Sequence, residues 1–288
     1  MAKRTVKLLV SAIVFLCDQV RDLGLHLLGK RRTQCVILLY HDIPDHQRAA
    51  FARQMDILFR TATPVADLGA ATAGTQRREV MVTFDDGFAS FAENALPEME
   101  KLGIMPTLFA VSGKLGCRAD WACNSHDELP KKNLLTAEEL RQLSGRVIFA
   151  SQTITHPMLT EIPADDVRRE VEGSRRELES LLGCPINWIC VPYGAFNAQV
   201  VECCRAAGYE HMFSTLPELA VQSEFVIGRV DAEPWDWDVE FRLKIAGSYR
   251  WLPWAFRLKR VITGVFDLSA TSAPKKANSI ISAEAVKR

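Results

Sequence analysis

The sequence predicts an α/β fold built on a parallel β-sheet. Three observations support this fold class. Short apolar runs alternate with segments in which apolar residues recur at helical spacing. The connections between most of these segments are short, as in repeated strand and helix units. At 288 residues, the chain is long enough for one α/β barrel or two small domains with a large core.

Strands are predicted where apolar residues are nearly continuous, because a strand covered on both faces has no polar side. They span residues 34–40, 80–82, 107–111, 147–150, 186–191, 209–214 and 225–230. Helices are predicted where apolar residues recur every three or four positions, over 47–60, 95–102, 136–144, 164–182 and 197–207. A last helix begins at Asp236 or Asp238, and residues 112–133 form a polar loop long enough to cover a site.

Composition excludes one class of partner. The 35 basic residues equal the 35 acidic residues, so the chain has no basic excess with which to neutralise nucleic-acid phosphates. The eight cysteines are irregularly spaced, which predicts buried free thiols in a reducing compartment and not a disulfide framework. We therefore expect a cytoplasmic location.

The chain divides into three parts. Residues 1–32 form an apolar and basic helix, 33–264 the barrel domain, and 265–288 a disordered tail rich in Ser, Ala and Lys. The apolar run at 8–17 resembles the start of a signal peptide but lacks a cleavage site, and it is shorter than the roughly 20 residues that span a bilayer. Extended to the basic residues 30–32, this helix predicts attachment to a membrane surface, either peripherally on the inner membrane or as an uncleaved anchor. The alternative is a helix packed on the barrel.

The stretch most suggestive of chemistry is 80–88, a strand that ends in Asp85, Asp86 and Gly87. Two adjacent carboxylates repel each other unless a cation or a proton intervenes. The alternative is a solvated turn in which Asp and Gly provide only the geometry.

Several motifs in a fixed order distinguish these interpretations. They are Leu39-Tyr40-His41, Thr83-Phe84-Asp85-Asp86-Gly87, Gly103-Ile104-Met105-Pro106-Thr107-Leu108-Phe109, Ser151-Gln152-Thr153-Ile154-Thr155-His156-Pro157-Met158-Leu159 and Pro192-Tyr193-Gly194. From about residue 36 to 229 the chain resembles the polysaccharide deacetylase family, the NodB-homology group of carbohydrate esterases. The resemblance implies a distorted seven-stranded (β/α) barrel. In such a barrel, residues that follow the strands share one face.

The resemblance also implies an activity, which is removal of an acyl group, most often N-acetyl, from a bacterial polysaccharide or glycan-linked sugar. It implies a divalent metal, usually zinc and sometimes cobalt or nickel, held by Asp86 and His156. Asp85 is then the general base, and the backbone N–H near Tyr193 holds the oxyanion. Pro192 and Tyr193 are expected to contact substrate.

Tryptophans are a further candidate for substrate contact. We expect Trp121 to stack on a sugar ring, since carbohydrate faces are apolar. Trp235 and Trp237 are candidates for the same role, and for all three the alternative is a place in the core.

The chain departs from the family pattern at three points, and these departures favour alternative residue roles and alternative functions. Gln152 stands where a second ligand histidine is expected, no histidine follows His211 to act as general acid, and Cys190 replaces an arginine that orients the base in some members. His41 is a candidate substitute ligand or proton donor. The alternative functions are a degenerate barrel that binds carbohydrate without turnover, and a scaffolding partner in a membrane-bound polysaccharide assembly.

Overall fold

The computed structural model describes residues 2–28, 35–68, 78–121 and 132–255. The predicted tail at 265–288 lies outside the described residues. The described chain forms a curled, parallel β-sheet with helices packed against it, which confirms the predicted fold class.

The predicted strands and helices occur in the predicted order, and the structure adds the two-residue strand β2, which was not predicted. The strands are β1 Val36–Tyr40, β2 Thr63–Pro64, β3 Glu79–Phe84, β4 Thr107–Ala110, β5 Ile148–Ser151, β6 Trp188–Cys190, β7 His211–Phe213, β8 Val226–Ile227 and β9 Val230–Asp231. The helices are α1 Ala2–Leu27, α2 Arg48–Thr61, α3 Leu96–Glu100, α4 Ala137–Gln142, α5 Ala164–Leu182, α6 Ala198–Ala206 and α7 Asp238–Ile245.

The two ends of the sheet are joined by its last segment. The strand order is β8-β7-β6-β5-β4-β3-β1-β9, with β2 paired to β3, and each of these pairs is parallel. Only Gly228 and Arg229 separate β8, which pairs with β7, from β9, which pairs with β1. The single strand predicted at 225–230 is therefore wrong in detail, because the chain changes pairing partner at these two residues.

Alternate residues of the central strands belong to two different apolar clusters. In β3, Val80 and Val82 belong to the larger cluster together with residues from most of the helices, whereas Met81 belongs to a second cluster with Phe109 and Phe213 from neighbouring strands. Both faces of the strand are thus buried, which explains the nearly continuous apolar runs in the sequence.

The helix ends largely match the local sequence signals. Thr136 and Glu139 form the capping box of α4, and α5 ends at Gly183 with φ 68°. Asn197 accepts a hydrogen bond from the N–H of Val200 at the start of α6. The helix predicted at 95–102 differs, because a π-helical turn at Phe91–Ala95 precedes a shorter α3.

Helix α1 is fixed to the domain by polar contacts. Asp18 and Arg250 form a bidentate ion pair with both N···O distances at 2.6 Å, and Trp251 Nε1 donates to Ser11 Oγ at 2.9 Å. Helix α1 therefore packs on the barrel domain, as the alternative interpretation expected. In the part of the chain that the structure describes, no helix has the length and apolar character needed to cross a membrane.

The cysteines only partly match the prediction of buried thiols. The seven described cysteines are all free, and Cys35, Cys190 and Cys204 are buried as expected. Cys17 and Cys117 are exposed, so the prediction was wrong for them, because they lie on an outward helix face and in a loop.

Gly228 is expected to tolerate no side chain, because a Cβ at this position would meet the backbone oxygen of Leu216 and lie 2.8 Å from Glu218 Cβ. We predict that Gly228→Ala lowers the free energy of unfolding by about 1–3 kcal/mol, measured by urea denaturation. The matched control is Gly24→Ala in α1, where nothing lies within 4 Å of the added Cβ and no loss is expected. Equal stability of the two variants would contradict this account of the strand break.

Candidate active site

The predicted site residues follow the carboxyl ends of neighbouring parallel strands. His41 follows β1, Asp85 and Asp86 follow β3, Gln152 and His156 follow β5, and Tyr193 follows β6. The edge is tied together by the backbone, since the N–H of Asp85 donates to the carbonyl of Tyr40 at 2.9 Å. The structure therefore places these residues at one edge of the sheet, as expected for a barrel.

Asp85 is held by a buried arginine, Arg229, which lies between β8 and β9. Arg229 Nη1 and Nη2 donate to the two carboxylate oxygens of Asp85 at 2.6 and 2.8 Å. The Arg229 side chain is fully buried, and it also donates to Thr83 Oγ1 at 3.2 Å and to the Ser214 carbonyl at 3.1 Å. Such a bidentate ion pair fixes the plane of the carboxylate as well as its position.

The interior beneath this ion pair is apolar and aromatic. The Arg229 guanidinium lies 5.1 Å from the ring centroid of Phe109 and 5.9 Å from that of Phe213. Burial lowers the pKa of Arg229, but the Asp85 carboxylate raises it, and the net shift is upward, so the side chain stays charged. Burial, followed by the charge of Asp85, raises the pKa of Cys190 well above its usual value, so the thiol stays neutral.

Arg229 is a site residue that sequence reasoning missed. The available signal was a lone arginine inside an otherwise apolar predicted strand, since a buried arginine requires an acidic partner. Its contacts also explain the departure at Cys190, because the guanidinium that pairs with Asp85 comes from the β8–β9 junction and not from β6.

Asp86, Gln152 and His156 form a hydrogen-bonded cluster next to this pair. Gln152 Nε2 donates to Asp86 Oδ1 at 2.9 Å and lies 3.1 Å from His156 Nε2, while Gln152 Oε1 accepts from the Asp86 N–H at 2.6 Å. Asp86 Oδ1 and His156 Nε2 are 3.3 Å apart. All three side chains are buried.

The Asp86 and His156 pair fits a shared cation in its spacing. Metal bonds of about 2.0–2.2 Å at a tetrahedral angle place two ligand atoms roughly 3.3–3.6 Å apart. The third protein position is the amide of Gln152, whose nitrogen faces both ligand atoms. Within the described ranges, no group of three or more His, Cys, Asp or Glu side chains is placed to hold a metal ion. The chain thus supplies two strong ligands and one weaker amide.

Aromatic side chains enclose the imidazole of His156. The indole of Trp121 stacks on it with ring centroids 4.3 Å apart and planes at 14°, and Tyr193 meets it edge-on at 4.9 Å. His156 Nδ1 and Trp121 Nε1 are both buried without a hydrogen-bond partner among the described residues. Residues 112–121 of the predicted loop therefore reach the site, while contact of Trp121, Tyr193 or Pro192 with a sugar stays a prediction.

The backbone of the site is unusual. Over the described residues, four non-glycine residues have positive φ, and they are Asp86, Thr153, His156 and Tyr193. Each such residue costs roughly 1 kcal/mol or more, and such strain concentrates at functional sites. All four lie in the strand-end loops of the site.

The loop that presents His156 is anchored by a second residue that sequence reasoning missed. Glu170 of α5 accepts hydrogen bonds from the N–H groups of Ile154 and Thr155 at 2.8 and 2.9 Å, and from Thr155 Oγ1 at 2.7 Å. Glu170 is buried, whereas the other charged residues of α5 are exposed or half-buried. Its place between Val167 and Val171, on the apolar side of the helix, was the available signal.

His41 is half-buried directly after β1, on the strand that neighbours β3. Its predicted role as substitute ligand or proton donor stays a prediction.

The fold is that of solved deacetylase structures. The chain matches the Streptococcus pyogenes deacetylase PplD in complex with acetate at a TM-score of 0.61 and 18% identity, over 74% of this chain and 98% of that chain. IcaB from Ammonifex degensii matches at 0.61 and 20%, over 76% and 98%. At these identities the likeness establishes the fold.

Sequence comparison gives the family. The polysaccharide deacetylase family model matches residues 72–212, and the chain belongs to this family. YxkH of Bacillus subtilis (strain 168), which is named as a polysaccharide deacetylase, is 24% identical over 212 residues, covering 69% of this chain and 71% of that protein. The poly-beta-1,6-N-acetyl-D-glucosamine N-deacetylase of Staphylococcus aureus (strain MRSA252) is 23% identical over 167 residues, covering 54% of each.

We predict that Arg229→Met lowers the free energy of unfolding by about 3–5 kcal/mol, because the Asp85 carboxylate is left buried without its partner. The double variant Asp85→Leu/Arg229→Met should recover much of this loss, since it removes both charges. Urea denaturation of the unmodified protein, Asp85→Leu, Arg229→Met and the double variant measures the coupling.

The matched control is Arg60→Met, which breaks the exposed pair with Asp56 in α2 and should change stability by less than about 0.5 kcal/mol. Equal effects at positions 229 and 60 would show that the buried pair has no special role.

Proposed function

We propose that the protein is a metal-dependent hydrolase that removes an acyl group, most often N-acetyl, from a bacterial glycan. The observation on which the proposal depends is the 3.3 Å spacing of Asp86 Oδ1 and His156 Nε2, directly beside the Asp85 carboxylate that Arg229 orients. The family is typically metal-dependent, and its relatives include a protein named for N-deacetylation of an N-acetylglucosamine polymer.

Asp86 and His156 would hold the metal, with zinc as the first choice and cobalt or nickel as alternatives. When bound, the ion supplies a water of lowered pKa and polarises the acyl carbonyl. Gln152 would have to turn its amide so that the oxygen faces the ion, because its nitrogen now faces both ligand atoms. Neutral amide oxygen is a weaker zinc ligand than imidazole, so we expect weak metal binding.

The remaining residues of the site take the roles of base, oxyanion donor and acid. Arg229 holds the Asp85 carboxylate in a fixed orientation through two hydrogen bonds, which suits a general base. The backbone N–H near Tyr193 is proposed to hold the oxyanion, and the left-handed backbone of Tyr193 fixes its direction. His41 is proposed as the proton donor to the leaving amine, since it follows β1 at the same edge.

The proposal is tested by acetate release from N-acetylglucosamine oligosaccharides with Zn²⁺, Co²⁺ or Ni²⁺ supplied. We expect metal-dependent turnover that a chelator abolishes, and a fall of about 100-fold or more in Asp85→Asn, because the base is removed. The control is Asp56→Asn on the exposed face of α2, which should leave the rate unchanged. Absence of turnover with every metal, or full activity of Asp85→Asn, would refute the hydrolase.

A second candidate function is carbohydrate binding without turnover. The hydrogen bonds of Gln152 favour it, because its amide nitrogen contacts Asp86 Oδ1 and His156 Nε2, the two atoms that a metal would need. This alternative expects saturable binding of oligosaccharide that a chelator does not affect and that releases no acetate.

Gln152→His is expected to raise the affinity for Zn²⁺ by about 10-fold or more, since it completes an Asp and two-His ligand set. Competition with a chromogenic chelator measures the affinity. The control is Gln142→His on the exposed end of α4, which should bind zinc no better than the unmodified protein. An unchanged affinity in Gln152→His would mean that position 152 does not face the metal.

A further inference from the structure

Helix α1 turns buried polar residues towards the domain as well as the apolar Leu8, Ala12 and Phe15. A surface helix normally turns its apolar stripe to the core and its polar residues to solvent. In α1 the fully buried Ser11 and the nearly buried Asp18 face the domain and bond to Trp251 and Arg250. Arg4 likewise pairs with Glu240 of α7, with Nε 2.7 Å from Oε2. These contacts fix which face of α1 points outward.

The outward face of α1 is apolar along its whole length. Its residues recur at alternating steps of three and four, and they are Val6, Leu9, Ile13, Leu16, Val20, Leu23 and Leu27. Their exposed fractions range from 56% at Val6 to 78% at Leu27. Since each residue advances the helix by about 1.5 Å, this outward row is roughly 30 Å long. A continuous apolar surface of this length marks an interaction site.

The apolar surface is wider than the helix. Trp235, Trp237 and Val239 are half exposed or nearly so where α7 begins, beside Arg4, whose guanidinium lies 4.4 Å from the Trp237 ring centroid. Trp254, which follows the Trp251 contact with α1, is 64% exposed. Tryptophan is the residue type that prefers the boundary between lipid and water.

Charge is distributed unevenly between this segment and the rest of the chain. Residues 1–32 contain seven basic residues and two acidic ones, a net charge of +5, whereas the whole chain is neutral. The exposed Lys7 and Arg21 each follow a residue of the outward row and therefore flank it on the same side. A positive border beside an apolar face is complementary to an anionic membrane surface.

We propose that the outward face of α1, together with Trp235, Trp237 and Trp254, docks on the surface of an anionic lipid bilayer. A second copy of the chain is the competing occupant, because the three-four spacing also suits a coiled coil. A two-stranded pairing along the helix row does not account for the three exposed tryptophans, and it would bring two basic segments together. The surface of a bilayer can contact both the helix row and the tryptophans, and its anionic lipids attract the basic residues.

The test uses the purified full-length chain and vesicle flotation. One set of vesicles is phosphatidylcholine alone, and the other contains about one-third phosphatidylglycerol. We expect binding to the anionic vesicles that weakens at high salt, with a blue shift of tryptophan fluorescence. Leu16→Gln/Leu23→Gln should reduce the partition coefficient by about 10-fold or more, because two apolar side chains leave the interface.

The matched control is Phe59→Gln/Met105→Gln, which changes two exposed apolar residues away from α1 and should bind vesicles like the unmodified chain. Both double variants should keep the unfolding temperature and the rate on a soluble oligosaccharide.

Failure to bind anionic vesicles, or equal binding by the α1 variant, would overturn the proposal. A lipid-free dimer in light scattering that the α1 variant dissociates, without vesicle binding, would assign the face to a second copy instead. These outcomes are independent of acetate release, so they are distinguishable from failure of the proposed hydrolase.

Discussion

The ion pair between Arg229 and Asp85 is the contact on which both the sheet and the site depend. Arg229 lies at the junction of β8 and β9, which pair with opposite ends of the sheet, and its guanidinium is fully buried. A buried cation is tolerated only when its charge is balanced and its donors are bonded. The carboxylate that balances it belongs to Asp85, the proposed base. The same ion pair therefore joins the end of the sheet to the site and orients Asp85.

The sequence was sufficient for the sheet and for most helix ends. Nearly continuous apolar runs predicted strands buried on both faces, and the two-cluster packing of β3 confirms this. Local signals such as Thr136 and Gly183 fixed helix ends because they act within one turn. The break between β8 and β9 was not predictable, because it depends on Leu216 and Glu218 lying against Gly228, and such contacts leave no periodic pattern.

The candidate site, like the fold, was predictable from the sequence only in part. Asp85, Asp86 and His156 were predicted from the motifs of the family resemblance, and they lie at one edge because the carboxyl ends of parallel strands meet there. Arg229 was missed because its partner Asp85 lies 144 residues away in the chain, and Glu170 because it bonds to a loop outside its own helix. The departure at Gln152 was visible in the sequence, but its consequence was not: only the structure shows one amide satisfying both neighbouring ligand atoms.

The left-handed backbone of Asp86, Thr153, His156 and Tyr193 has a consequence for how this protein would evolve or be engineered. Selection for thermal resistance alone would favour glycine or asparagine at these positions, since both adopt this conformation with less penalty. A domain retained only as an inert scaffold would gain from such replacements. Under the proposed function, the larger side chains there cost folding energy that the chemistry requires. Heat-tolerant variants obtained without an activity screen should therefore lose these side chains first.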